Sequence, residues 1–174
     1  MKILAISGSL RTNSFNSAII NYLALSNKDV NIYKDLDKLP FFNPDLDDSE
    51  LANDVAPFLV QEFRQKIALS DVILFSTPEY VFEISGVLKN ALEWLVASGV
   101  MDKKRVVVIS ASTSAMGANK ANEHLCELLK VLTSKEVTLT LKVDRANKKI
   151  DDKGLIIDEQ LKNQLNNLLK EVLI

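Results

Sequence analysis

Five short β-rich runs, each followed by a longer amphipathic run, predict an α/β chain built on one parallel sheet with helices on both faces. The apolar run at 72–76 supports a parallel sheet, because a strand covered on both sides is apolar at nearly every position. Parallel strands need right-handed crossovers, so every strand-to-helix loop leaves the same edge of the sheet.

Residues 2–7 read as the first strand, apolar, partly β-branched and stopped by Gly8. A helix follows over 16–26, with Ile19, Ile20 and Leu23 on one face. The second strand is short, 30–33, and leads into a polar connection punctuated by Pro40, Asn43 and Pro44. A helical pattern spans 50–69, where Pro57 suits a first turn because its missing N–H matters little there. The third strand, 72–76, precedes a helix over 85–98 that Gly99 ends. Strand 105–110, helix 119–132 and strand 137–143 come next. In the last helix, 158–173, Leu161, Leu165, Leu168 and Val172 recur at helical spacing behind Asp158 as a cap. No repeat, low-complexity tract or composition break interrupts this order, so 1–174 is expected to form a single domain.

The composition is 47% hydrophobic and 25% charged with five glycines and four prolines, which excludes disordered and fibrous classes. A net charge of -2, with both signs spread along the chain, argues against nucleic-acid and membrane-surface partners. Cys126 is the only cysteine, so no intramolecular disulfide can form and the thiol fits a reducing compartment. The apolar start is too short for a signal peptide, and no stretch approaches the roughly 18 apolar residues of a spanning helix. A cytoplasmic protein is expected.

In such a sheet, ligands bind beyond the carboxyl ends of the strands, near the point where strand order reverses. The loops after the first, third and fourth strands are therefore the informative ones. In loop 8–16, Gly8 lets the chain turn off the strand, Ser9, Thr12 and Ser14 offer hydroxyls, and Arg11 offers a planar guanidinium. The following helix adds free N–H groups and a positive dipole end, so the set suits a phosphate dianion. The competing reading is a capping loop in which Ser14 or Asn16 caps the helix and Arg11 is solvated. The loop lacks the Gly-Lys-Ser/Thr ending of a P-loop, and its single glycine excludes the G-x-G-x-x-G fingerprint. A mononucleotide phosphate fits better.

In loop 77–82, Pro78 stiffens the chain and Tyr80 and Phe82 present flat apolar surface, either to a heterocycle or simply over the sheet end. Loop 110–117 is rich in small and hydroxyl residues that permit close approach of a ligand, or that merely form a flexible turn. The case for a site rests on all three loops sharing one edge.

Gly8-Ser9-Leu10-Arg11, Ser14-Phe15-Asn16, Pro78-Glu79-Tyr80 and the run from Gly86 to Trp94 resemble, in order and spacing, the NADPH-dependent FMN reductase family, which includes chromate, quinone and azo-dye reductases. The resemblance implies a flavodoxin-like three-layer sandwich with a five-stranded parallel sheet of order 2-1-3-4-5. It implies noncovalent FMN, NADPH or NADH as electron donor, and a small-molecule acceptor such as a quinone, azo compound, metal oxyanion or free flavin. Homodimers or homotetramers with flavin sites near subunit interfaces are implied as well. Ser9, Arg11, Ser14 and Asn16, with Phe15 among them, would hold the FMN phosphate. Pro78, Glu79 and Tyr80 would pass beside the isoalloxazine, with Val81 next to it, and Ser112 would open the third flavin loop. Lys89, Asn90 and Trp94 would pack and support the second loop.

Family members usually read Pro-Glu-Tyr-Asn, then a serine two residues on and a Pro-Gly before the helix. Here Val81, Glu83 and Ser85 stand at those places, and Ser114 and Ala118 replace glycines of the third loop. These departures bear on the substrate pocket and the hydride donor, not on the phosphate loop. Chemistry carried by the flavin needs no protein acid or base. With no second nucleotide fingerprint, donor and acceptor are expected to alternate in one cavity with ping-pong kinetics. The alternatives are a flavodoxin-type electron carrier, whose first loop would lack arginine, and a flavin-binding regulatory protein.

Other conspicuous residues have plainer readings. His124 and Cys126 lie two apart on a helix and make a poor metal pair, so a surface histidine and a packed thiol are expected. Asp45, Asp47, Asp48 and Glu50 lack calcium-loop spacing and read as a solvated acidic helix start. Phe41 and Phe42 are expected to pack on the domain, and Lys148-Lys149 to lie in a surface turn.

Overall fold

The alternation of apolar side chains along each strand decides the layers. A computed structural model describes residues 1–47, 56–135 and 137–173. Its strands are β1 (Ile3–Ser7), β2 (Val30–Tyr33), β3 (Val72–Thr77), β4 (Arg105–Ala111) and β5 (Leu139–Val143). They form a five-stranded, all-parallel sheet in the order β2-β1-β3-β4-β5. The helices are α1 (Phe15–Ser26), α2 (Phe58–Ala68), α3 (Gly86–Glu93), α4 (Asn119–Thr133), the short α5 (Ala146–Lys149) and α6 (Glu159–Val172).

Ile3, Ala5, Leu74 and Val107 face α1 and α6, where Ile19, Leu23, Leu161 and Leu165 complete one buried layer. Leu4, Ile6, Phe75 and Val108 face the other way, onto Phe63 of α2, Leu88 of α3 and Leu125 of α4. The central β3 is buried at every position, as its unbroken apolar run requires, whereas the edge strand β5 alternates between partly buried and exposed. The flavodoxin-like three-layer architecture and its strand order are therefore as the resemblance implied. The order reverses between β1 and β3, and the crevice beyond their carboxyl ends is where the loops after β1, β3 and β4 meet.

Several elements differ from the sequence reading. The helix expected over 85–98 stops at Glu93. The carbonyl of Trp94 accepts from Arg64 Nε at 2.9 Å and Nη2 at 2.6 Å, so it is taken by another helix instead of by the N–H of residue 98. The following residues tighten, with Leu95 N–H donating to Leu92 C=O at 3.0 Å. β5 starts at Leu139 instead of 137, and α2 starts at Phe58 directly after Pro57. The part of that helical expectation over 50–55 lies outside the described residues.

Asp47 is not a solvated acid. It pairs with Arg64 at 2.6 Å, and both side chains are buried, 2% and 3% exposed respectively. Asp45 is exposed, while Asp48 and Glu50 lie outside the described residues. Asn90 and Trp94 support the connection after β2, not the loop after β3. Asn90 Nδ2 and Trp94 Nε1 each donate to the Pro40 carbonyl at 2.9 Å, and Asn90 Oδ1 accepts from Phe42 N–H at 2.8 Å. Lys89 is exposed and pairs with Glu93 one turn on. Phe42 meets Trp94 edge-on with centroids 5.0 Å apart, as packing predicts, but Phe41 stays exposed. Lys148 and Lys149 sit in α5, not a turn, where Lys149 pairs with Asp144.

Candidate active site

β1 delivers the chain to Gly8, whose N–H donates back to Ser76 C=O of β3 at 2.8 Å. A Cβ at Gly8 would lie 3.0 Å from Leu88 Cδ2 and 3.3 Å from Ser85 Oγ, so any side chain here would have to push Leu88 or Ser85 of the α3 start aside by a few tenths of an ångström. Ser85 caps α3 by accepting from Leu88 N–H, and its hydroxyl donates to Gly8 C=O. A position that departs from the family pattern thus binds two loops together.

Ser14 caps α1, its Oγ accepting from Ser17 N–H at 3.2 Å. Its own O–H donates to no group among the described residues, and the first-turn N–H groups of Phe15 and Asn16 have no partner within the helix. Ser9 is buried, yet its hydroxyl makes no hydrogen bond among the described residues, and the exposed Arg11 has no ion pair among them. Unpaired donors therefore converge at a positive helix end, the arrangement a phosphate dianion requires.

Asn16 also has a structural part. Its Nδ2 donates to Ala111 C=O at 3.2 Å and its Oδ1 accepts from Ser76 Oγ at 2.9 Å. The side chain is 3% exposed, with its nitrogen and its oxygen each engaged once. What it does is tie the loop after β1 to the ends of β3 and β4. Neither sequence spacing nor residue type signals this, because the partners lie 60 and 95 residues away.

The loop after β3 continues from Thr77 through Pro78 and Glu79 into a tight hairpin. Tyr80 and Glu83 exchange N–H···O=C bonds of 2.9 and 3.0 Å, enclosing Val81 and Phe82. Both enclosed residues are left-handed, with φ of 53° and 64°, as a two-residue hairpin turn of this hand demands. Glu79 points its carboxylate away from the loop: Oε2 accepts from Ala121 N–H, in the first turn of α4, at 3.1 Å. The third loop begins with Ser112 N–H donating to Val143 C=O, and Ser112 and Ser114 share a hydroxyl contact of 2.9 Å. Gly117 and Ala118 are both left-handed, which explains why glycine is usual where Ala118 stands. Behind this loop, the hydrogen bond from Lys149 holds the Asp144 carboxyl below the ordinary carboxylate range.

Ser9, Arg11, Ser14, Phe15, Asn16, Pro78, Glu79, Tyr80 and Ser112 line one cavity, completed by Ala111 and Thr113. Of the ten expected site residues only Val81 is outside it; it stands at the hairpin tip, 92% exposed. The cavity measures about 140 Å³, below the ~300 Å³ at which enclosed ligand pockets begin. A ligand anchored here keeps much of its surface at the open mouth. Ala111 and Thr113 are lining residues that were not named individually, although both lie in loop 110–117, which its small and hydroxyl residues had singled out.

The chain is similar to known proteins over most of its length. The family model for NADPH-dependent FMN reductase matches residues 1–148. An NADPH:quinone oxidoreductase of Arabidopsis thaliana is 31% identical over 97% of this chain and 88% of its own. A 2-hydroxy-1,4-benzoquinone reductase of a Burkholderia species is 32% identical over 97% of this chain and 92% of its own. The solved structure of a flavoenzyme NAD(P)H:(acceptor) oxidoreductase from Paracoccus denitrificans shares the fold, with a TM-score of 0.77, 24% identity, and coverage of 98% of this chain and 94% of that one. With its unpaired phosphate-loop donors, its three joined loops and a family match over most of its length, this chain belongs to the NADPH-dependent FMN reductase family.

Proposed function

We propose that the cavity holds FMN with its phosphate on loop 8–16 and its ring against residues 78–80 and 112–113, and that a quinone-type molecule is the acceptor. As a member of its family the chain is an NAD(P)H-dependent, FMN-using oxidoreductase. The observation that carries the site assignment is the set of unpaired donors at Ser9, Arg11, Ser14 and the α1 N-terminus, facing a cavity shared with both other loops.

Bound FMN supplies the two-electron chemistry that no side chain here offers. The protein's work is placement. Arg11 and the α1 dipole balance the phosphate charge, and the Ser9 and Ser14 hydroxyls donate to its oxygens. Asn16 keeps the three loops in register from below. The shallow mouth leaves a ring face open, so reduced nicotinamide and acceptor reach it in turn from one side. Tyr80, 45% exposed, adds flat apolar surface beside that mouth, suited to planar acceptors. The quinone-acting relatives support this acceptor class.

Mixing the purified chain with FMN tests the reading. A flavin spectrum that follows the protein through gel filtration and bleaches with NADPH or NADH is expected, with parallel initial-rate lines as a quinone is varied. Failure to retain FMN removes the assignment. Very slow bleaching without a partner reductase would favour an electron carrier, and bound flavin with negligible acceptor reduction would favour a regulatory protein.

Residues 1–174 are further read as one domain of a cytoplasmic homodimer or homotetramer, in keeping with the lone thiol. Supporting self-association, a groove between α3 and α4 combines apolar Ile84, Leu128 and the exposed Val131 with both signs of charge at Lys89 and Glu127. Such a face can pair with its own copy about a twofold axis. Sedimentation velocity distinguishes monomer, dimer and tetramer.

A further inference from the structure

The loop beside the proposed ring site is held from outside itself. Its hairpin places a β-branched and an aromatic residue, Val81 and Phe82, in the left-handed region, a conformation that persists only where neighbouring structure enforces it. Two carboxylates flank the hairpin and both reach α4. Glu79 Oε2 accepts from Ala121 N–H at 3.1 Å, and Glu83 Oε1 lies 2.8 Å from His124 Nδ1. Ala121 and His124 are three residues apart, so both anchors fall on one stripe of the same helix.

The helix has its own reason to need Glu79. α4 begins at Ala118, which is left-handed and has no side chain able to cap, so its first N–H groups lack a partner from the chain's own turn. A carboxylate at this positive end is favoured by the helix dipole as well as by the hydrogen bond. Glu79 therefore joins the start of the ring-side loop to α4 and, through α4, to the third loop, whose last residues Gly117 and Ala118 lead into that helix.

We propose that Glu79 is a positioning residue: its carboxylate, bound to the α4 N-terminus, sets the Pro78–Tyr80 backbone against the flavin ring and keeps the two ring-side loops in register. The inference rests on the FMN assignment and adds to it that this carboxylate is bound to α4. Glu83 and His124 form the second anchor, at the far end of the hairpin.

Paired titrations of FMN and riboflavin, followed by flavin fluorescence, separate ring-end from phosphate-end effects, because riboflavin carries the ring without the phosphate. Glu79→Ala is expected to weaken both flavins by the same factor, about tenfold for the loss of one charge-assisted hydrogen bond. Glu79→Gln, whose amide oxygen still accepts from Ala121 N–H, is expected to recover most of the affinity. Arg11→Ala serves as the contrast, weakening FMN and leaving riboflavin unchanged. If Glu79→Ala does not fold, Glu79→Asp carries the same comparison, since it keeps the charge but withdraws it by one methylene.

A folded variant with a lowered Tm and both flavin affinities within twofold of the parent would overturn the proposal, leaving Glu79 as a helix cap alone. Loss of FMN affinity without loss of riboflavin affinity would overturn it equally. Wild-type protein that binds neither flavin would instead remove the FMN assignment itself.

Discussion

Val81→Asn is expected to stabilise the protein. Val81 has φ of 53° and is 92% exposed, so it carries left-handed strain with almost no burial to offset it. The left-handed region costs an L-residue roughly 1–2 kcal/mol, and a β-branched side chain is the least suited to it. Asparagine visits that region readily, so Val81→Asn should recover about 1 kcal/mol of the penalty. For a chain of this size that corresponds to a Tm rise of about 2–4 °C. Val81→Gly relieves the same strain but loses roughly 0.5–1 kcal/mol through the greater entropy of its unfolded chain, and should be near neutral. The expected order is Asn above Gly, with Gly close to Val. Urea and thermal unfolding of the flavin-free protein measure it. If Val81→Asn proves no more stable than the parent at unchanged m-value, the hairpin is not strained as described and the reasoning fails.

Arg11→Ala should weaken FMN about 10-fold, the lower end expected for a hydrogen bond to a charged group at an exposed site. Isothermal titration at two salt concentrations checks this, and the difference between parent and variant should shrink as salt rises. Arg64→Ala leaves the Asp47 carboxylate buried without its ion-pair partner and should cost about 3–5 kcal/mol in urea unfolding. A loss below 1 kcal/mol would contradict the burial of that pair. Ser85→Ala removes the α3 cap and the bond to Gly8, and should lower stability by about 1 kcal/mol while weakening flavin binding. Burial, the largest influence on Cys126, pushes its thiol above the ordinary range, partly offset by a hydrogen bond from Thr140. At pH 8 the native protein should therefore be alkylated by iodoacetamide more slowly than free cysteine, and unfolding in urea should abolish the difference.

The sheet and its two faces were legible because burial imposes a local period. Ile3 and Ala5 against Leu4 and Ile6, or Leu161 and Leu165 one turn apart, carry their layer in their spacing alone. Loop 8–16 was legible as a donor cluster for a related reason: its donors are contiguous, and the strand-to-helix turn that gathers them is written in the same nine residues. Sheet topology pointed to the two remaining loops and the family resemblance gave their residues roles, and nine of the ten expected residues meet in one cavity.

What tertiary structure alone decided is the direction in which polar side chains spend their hydrogen bonds. Asn16 lines the cavity and also ties three loops, because Ala111 and Ser76 are brought beneath it by strands adjacent in space. Asp47 was expected in solvent and instead meets Arg64 of α2, whose guanidinium also takes the Trp94 carbonyl just past the end of α3. Glu79 lies in the right loop, but its carboxylate belongs to a helix that starts forty residues later in the chain. A periodic pattern records which face a residue takes; the partner of a polar group is set by how separate elements pack. That is why the sequence by itself determined this protein's layers and the donors gathered in loop 8–16, while only the fold decided which residues hold that loop to the loops after β3 and β4.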